Sequence, residues 1–244
     1  MAETRGDMKY SGVMRMPGGS YGRASLEGVI TIEGDLDCNE LKTEGVFTGT
    51  GKIQAGFAKF NGVAGVDRQL SGERLDVNGE LKVGEGMAVK DVTAEGKMYV
   101  RGDVTAEKFD VEGEFKTDGM CNAEELRCKG AIRVGKTLNA GEVNVSMYGP
   151  CNARDIECGN ITVRKGGSSP MGLLANIFLP LVYGKAHFTV ETIEGDEINV
   201  EHTTAKTIRG GKVFIGEGCV VDVVEYRDSF ESASSAIIKK SVKV

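Results

Sequence analysis

The sequence predicts an all-β protein, a right-handed parallel β-helix (solenoid) with about 17 residues per winding. Three observations predict this fold. Glycines recur at a constant interval of seventeen positions, apolar and polar residues alternate around each of them, and the 244 residues include 35 glycines but only 4 prolines and no tryptophan. This composition favours many tight corners over a disordered glycine-proline tract. The regularly spaced glycines are Gly28, Gly45, Gly62, Gly79, Gly96, Gly113 and Gly130.

Positions at fixed distances from these glycines are apolar in successive repeats. The position four residues before the glycine holds Ala24, Leu41, Ala58, Leu75, Val92, Phe109 and Leu126. The position two residues after it holds Ile30, Phe47, Ala64, Leu81, Met98, Phe115 and Ile132. The residues that alternate with the apolar ones, such as Glu27, Thr31 and Glu33, are polar. Since a period of two residues is that of a β-strand, the apolar positions are expected to face inward.

The length of the repeat predicts the architecture. Seventeen residues accommodate about three short strands with tight corners, and such windings stack at ~4.8 Å around a continuous apolar interior. Right-handedness is expected because parallel crossovers strongly favour that hand. Left-handed β-helices normally show a six-residue period, which a 17-residue repeat does not contain.

Breaks in the repeat predict the domain organisation. We expect a flexible N-terminal tail over 1–22, a main β-helical block over 23–165 and a Gly/Ser linker with an apolar insert over 166–185. A second, shorter β-helical block over 186–227 and a loose polar tail over 228–244 follow. The next comparable glycine after Gly130 is Gly159, which falls short of two full repeats and predicts one shortened winding. In the second block Ile198 recurs fifteen positions later as Val213.

Charge and targeting features exclude several classes of function. The formal net charge is −6, so no nucleic-acid partner is expected. The N-terminal residues lack the apolar core of a secretory signal, and no run of about 18 apolar residues is present. We therefore expect a cytoplasmic protein whose six cysteines are reduced thiols. Peripheral attachment to the inner face of the cell membrane is the alternative location.

One segment matches a nucleotide-binding pattern. Residues 130–137 read GAIRVGKT, which fits the phosphate-binding loop G-x-x-x-x-G-K-[ST]. That loop must join a strand to a helix, whereas Ile132 and Val134 fall at inward strand positions and no helical pattern follows. The match is interpreted as an ordinary winding, and no cofactor is expected.

The cysteines could suggest a metal site, since Cys121 and Cys128 flank one segment and Cys151 and Cys158 flank a similar one. A separation of seven positions between the two thiolates of each segment is not a typical zinc spacing. Cys121 and Cys128 also lie at apolar inward positions. Packing in the core is therefore the favoured interpretation, and no metal is expected.

Acid–base groups do not form a convincing catalytic set. Asp35 and Asp37 share one outer face, an arrangement typical of a glycosidase pair, but Lys52 lies beside Asp35 in the next winding, which favours a solvated charge ladder. His187 and His202 are not paired with an obvious nucleophile. We expect no catalytic residue, no enzymatic activity and no small-molecule substrate.

The insert between the two blocks is unusually apolar. It is too short and proline-interrupted to span a membrane, yet too apolar for a free loop. We expect it to pack against the β-helix or another subunit, with shallow contact to a membrane surface as the alternative. The apolar residues expected to make this contact are Leu173, Leu174, Ile177, Phe178, Leu179 and Leu181.

The 17-residue windings, together with the closing block EGDEINVEHTTAKTIRGGKVFIGEGCVVDVVEY at 194–226, resemble the bactofilins, the polymer-forming cytoskeletal proteins of bacteria. The resemblance covers roughly residues 23–226, and the two-block layout is similar to bactofilins of Gram-positive rods. It implies a right-handed β-helix, filaments formed without nucleotide, and a scaffold for envelope, cell-shape or motility machinery. It also implies a homopolymer or a copolymer with a paralogous bactofilin.

The physics of a β-helix independently predicts assembly, because its last windings expose unpaired backbone groups and the rim of the core. The residues expected at the joints are Leu26, Ile30 and Ile32 at one end and Val221 and Val224 at the other. The alternative functions are a polysaccharide-acting β-helix, a non-polymerising binding protein and an acyltransferase. Windings of uniform length leave no long loop to build a catalytic cleft, which disfavours the enzymes.

Overall fold

The protein is all-β, and about 84% of the residues that the structure describes lie in strands. A computed structural model describes residues 5–167 and 186–244. The strands run parallel and form a β-solenoid of about 11 turns with a spacing near 17 residues. The predicted fold class is therefore confirmed, while its handedness stays a prediction. The strands are β1 Met8–Gly49, β2 Ile53–Val66, β3 Leu70–Val83, β4 Met87–Val100, β5 Val104–Thr105, β6 Lys108–Thr117, β7 Cys121–Met147, β8 Pro150–Lys165, β9 His187–Val200, β10 Thr203–Ile215, β11 Val220–Ser232 and β12 Ile237–Lys243.

The chain divides into two compact units, Met1–Gly119 and Met120–Val244. In unit 1 the pairing partners lie one full repeat apart in the sequence. Leu36 pairs with Ile53, Ile53 with Leu70, and Leu70 with Met87. Because equivalent residues stack directly, apolar side chains form continuous buried rows, and the large buried rings Phe47 and Phe60 pack with their centroids 5.6 Å apart.

The glycine row of unit 1 is set by backbone geometry. Gly62, Gly79 and Gly96 all have positive φ, which side chains rarely adopt. A Cβ built on Gly79 would lie 2.1 Å from the carbonyl oxygen of Gly62. The recurrence of glycine therefore reflects both the turn of the chain and the close approach of the preceding winding.

Unit 1 begins earlier than predicted. The strand β1 starts at Met8, inside the segment expected to be a flexible tail. The amide of Gly22 donates to the carbonyl of Gly6, and a Cβ on Gly28 would meet the oxygen of Gly12. The residues from Met8 onward thus form a further winding, and the predicted N-terminal tail is wrong for them. The step from Gly12 to Gly28 is one position shorter than the regular period, which hid this winding from the repeat pattern.

Unit 2 keeps the parallel stacking but varies the length of its windings. Val143 pairs with Ile161, Ile193 with Ile208 and Val221 with Ile238, so the corresponding steps are eighteen, fifteen and seventeen positions. The predicted shortened winding is wrong, because Gly159 stacks against Gly141 rather than Gly130. The recurrence of Ile198 as Val213 is confirmed as a pair in register.

The strand ladder of unit 2 continues across the insert. Ile156 of β8 pairs with Ile193 of β9, so the windings on either side of the insert are direct neighbours. At the other end, β11 extends to Ser232 and β12 pairs with it in register. The predicted loose tail over 228–244 is therefore wrong for these strands. Within the described residues, no helix has the length and apolar content needed to cross a bilayer.

Candidate self-assembly surfaces

The five residues predicted at the joints do not lie at exposed ends. Leu26, Ile30 and Ile32 are buried, as are Val221 and Val224. Their burial follows from the two extra windings, since the segment from Met8 covers the first group and β12 covers the second. Their assignment to exposed joints is therefore wrong. The error arose because the windings that cover them carry weak sequence signals.

The exposed end of unit 1 is the first part of β1, residues 8–21, which we call the N-terminal edge. Three apolar side chains on it are exposed: Tyr10, Val13 and Met14, with Val13 exposed by 82%. Large apolar side chains exposed together on a terminal winding are typical of a protein interface. Sequence reasoning missed them because their apolar character was attributed to an unfolded tail.

The exposed end of unit 2 is β12 with Val244, residues 237–244, which we call the C-terminal edge. β12 is the last strand in the sheet order and pairs with β11. Ile237 is exposed by 61% and Val244 by 67%. Lysines also populate this edge, and the ammonium of Lys239 lies 2.7 Å from the Asp222 carboxylate. Lysines on an edge strand discourage indiscriminate pairing with other chains.

The residues considered for nucleotide binding lie in a strand. The segment 130–137 belongs to β7, and both Ile132 and Val134 are buried. Their side chains contribute to the core, and the segment does not lead into a helix. The geometry of a phosphate-binding loop is therefore not formed here.

The thiols are core groups. Five of the six cysteines are buried and Cys158 is half-buried. Burial raises the pKa of Cys121 to about 12 and that of Cys151 to about 11, so both remain protonated at neutral pH. No cluster of three or more histidine, cysteine or acidic residues with metal-binding geometry occurs in the described part of the chain.

The carboxylates considered for catalysis have structural partners. Asp35 accepts a 2.7 Å hydrogen bond from the backbone amide of Lys52, in the next winding as the sequence suggested. Asp37 accepts two hydrogen bonds of 3.0 Å from the guanidinium of Arg5. The first contact joins adjacent windings, and the second reaches across an intervening winding.

The two histidines are close enough to influence each other. Burial and the nearby His202 lower the pKa of His187, whose Nε2 lies 2.9 Å from the Thr204 hydroxyl. Nε2 of His202 lies 3.4 Å from the Glu217 carboxylate. The first contact thus pairs an imidazole with a threonine hydroxyl, and the second pairs an imidazole with a carboxylate. The predicted contact residues Leu173, Leu174, Ile177, Phe178, Leu179 and Leu181 lie outside the described residues.

Comparison with known proteins identifies two relatives from Bacillus subtilis (strain 168). The chain is 36% identical over 110 residues to "Uncharacterized protein YhbE" and 30% identical over 108 residues to "Uncharacterized protein YhbF". Each match covers 44% of this chain, and they cover 43% and 41% of the respective relatives. The matched part is thus less than half the length of either relative. No family model and no solved structure matches the chain.

Proposed function

We propose that this chain is a self-assembling cytoskeletal scaffold of the bactofilin type, which polymerises without nucleotide and organises cell-envelope, cell-shape or motility machinery. Its partners are further copies of itself or a paralogous bactofilin at the cytoplasmic side of the membrane. The observation that supports this proposal best is the pair of terminal edges. Strands β1 and β12 stand at the two ends of the sheet order, and each carries exposed apolar side chains.

The chemistry of a strand edge explains why these surfaces favour assembly. An edge strand presents a row of unpaired amide and carbonyl groups that another strand can satisfy. Adding a copy at the ~4.8 Å strand spacing would continue the ladder and cover side chains such as Val13 and Ile237. Since both kinds of contact repeat with each added copy, association can continue into a polymer.

The proposal is tested by negative-stain electron microscopy and light scattering of the untagged protein without nucleotide. We expect filaments or sheets above a threshold concentration. Ile237→Lys should raise that threshold at least tenfold, because it places another charge on the C-terminal edge. The matched control is Phe214→Lys, since Phe214 is also exposed, by 40%, but lies on the interior strand β10.

Two results would contradict the proposal. One is a wild-type protein that stays monomeric at every concentration, which would favour a non-polymerising β-helical binding protein. The other is equal loss of assembly in the edge variant and the Phe214→Lys control. Circular dichroism melting curves establish that both variants remain folded.

A further inference from the structure

One face of unit 1 carries an unusual apolar row. The residue immediately after each glycine points outward, and in successive windings this position holds Val29, Val46, Val63, Glu80, Lys97 and Glu114. The three valines are exposed by 44–50%. Three exposed valines stacked in register on a flat β-surface promote association unless they are covered.

A second outward row runs beside the first, two residues further along each winding. It holds Thr31, Thr48, Gly65, Lys82, Tyr99 and Lys116. A shallow cleft of about 220 Å³ lies between the two rows in the later windings, with Leu81 and Met98 at its floor. We call these two rows together the side face.

The two rows are complementary within each winding. Glu80 is matched with Lys82, Lys97 with Tyr99 and Glu114 with Lys116, while Val46 is matched with Thr48. The ammonium of Lys82 already lies 2.6 Å from the Glu80 carboxylate of the same copy, and Lys116 lies over the Tyr99 ring. These side chains remain partly exposed and can form larger networks with a second set of the same groups.

The same complementarity is available between two copies that are related by a two-fold axis. A two-fold axis parallel to the stacking direction places the first row of one copy opposite the second row of another, winding by winding. Glu80 then faces the second copy's Lys82, Lys97 faces a tyrosine ring, and Val46 packs on Thr48. Reversing one copy would instead place Val63 against Glu80 and Val46 against Lys97.

We propose that the side face binds the side face of a second copy in parallel orientation, so that two polymers lie side by side. This inference rests on the proposed function, because so small a contact holds only copies that are already linked in a polymer. Six windings at ~4.8 Å give a contact about 30 Å long, which with a width of roughly 10 Å covers about 300 Å² per copy. A stable isolated pair needs about 800 Å² per copy, so the side face holds copies together only when they are linked in series.

The first experiment reverses charges and then restores complementarity. The double variant K82E/K116E puts like charges opposite each other, and we expect single filaments in place of paired ones by electron microscopy. The matched control E80K/K82E/E114K/K116E exchanges the two signs and should restore pairing. If the first variant still forms paired filaments, or the exchanged variant fails to regain them, the proposal is overturned.

The second experiment tests orientation with a short bismaleimide cross-linker. A mixture of V46C and T48C proteins should give at least fivefold more cross-linked dimer than a mixture of V46C and K97C. The reverse preference would establish an antiparallel arrangement and overturn the proposal. The parent chain gives the background from its own thiols, five of which are buried.

These outcomes separate the side face from end-to-end assembly. Long filaments of single width in the wild type would contradict the side-face proposal alone. If no filaments form, the proposed function fails, but the irreversible cross-linker still traps short-lived side-face encounters in concentrated protein. Absence of the V46C–T48C product there would overturn this proposal as well.

Discussion

At the scale of single residues, the glycine row is the most constrained feature of the fold. Gly79→Ala places a methyl group 2.1 Å from the Gly62 carbonyl oxygen at a φ of 128°. We expect a loss of about 2–4 kcal/mol in the free energy of unfolding, because both the backbone strain and the neighbouring winding oppose the change. Urea denaturation followed by circular dichroism measures this loss.

The matched control for this prediction is Gly65→Ala in the preceding winding. The nearest atom to a Cβ there is the Phe47 carbonyl oxygen at 4.0 Å, which is ordinary contact. We expect a change within about 0.5 kcal/mol, as for most tolerated surface substitutions. Equal destabilisation by the two alanines would show that the close approach between glycines does not limit stability.

At the scale of the element, the winding is the unit that the sequence specifies. In unit 1 the 17-residue period predicted the stacking correctly, because Ile53, Leu70 and Met87 occupy equivalent buried sites. A winding whose length departs from the period loses this alignment. The step from Gly130 to Gly159 was therefore misread as one shortened winding, whereas Gly159 stacks on Gly141.

The terminal windings were missed for a different reason. Their exposed side chains, such as Val13 and Ile237, do not show the inward apolar alternation by which a strand is recognised. Sequence reasoning therefore placed the two ends of the β-helix one winding too far inside. The true positions of these ends follow from the structure, in which β1 already begins at Met8 and β12 pairs with β11.

Because the winding is the unit, deletion of one whole repeat should be tolerated. Removing residues 70–86 brings residue 87 to the position of Leu70, with Ile53 as its partner. We expect a folded protein with a single cooperative unfolding transition and unchanged strand content, measured by circular dichroism. Removing only residues 70–78 exchanges inward and outward positions and should give an aggregated or unfolded chain.

The whole molecule should be less stable in alkali because its thiols are buried. Burial raises the pKa of Cys121 from 9.0 to about 12. The stability from this neutral thiol is complete below pH 9 and declines as the pH rises toward 12, because only the unfolded chain releases the proton. The decline amounts to about 1.4 kcal/mol per pH unit for one thiol.

The measurement is the free energy of unfolding in urea between pH 8 and pH 11. The Cys121→Ala variant loses one titrating thiol. Above pH 9 its free energy of unfolding should therefore fall less steeply than that of the parent, by about 1.4 kcal/mol per pH unit. The comparison uses slopes, since the cavity left by the substitution lowers stability equally at every pH. Parallel curves for the two proteins would contradict the assignment of a raised pKa to Cys121.

The direct stacking of β8 on β9 makes the corner between them a natural place for a reporter. Pro150 pairs with His187, a step more than twice the usual winding, yet Ile156 and Ile193 still meet in register. The ladder therefore already accommodates additional chain at this corner. A fluorescent protein inserted between Gly167 and Ala186 is therefore expected to leave the pairing of β8 with β9 unchanged, so live imaging could follow the protein with this ladder intact.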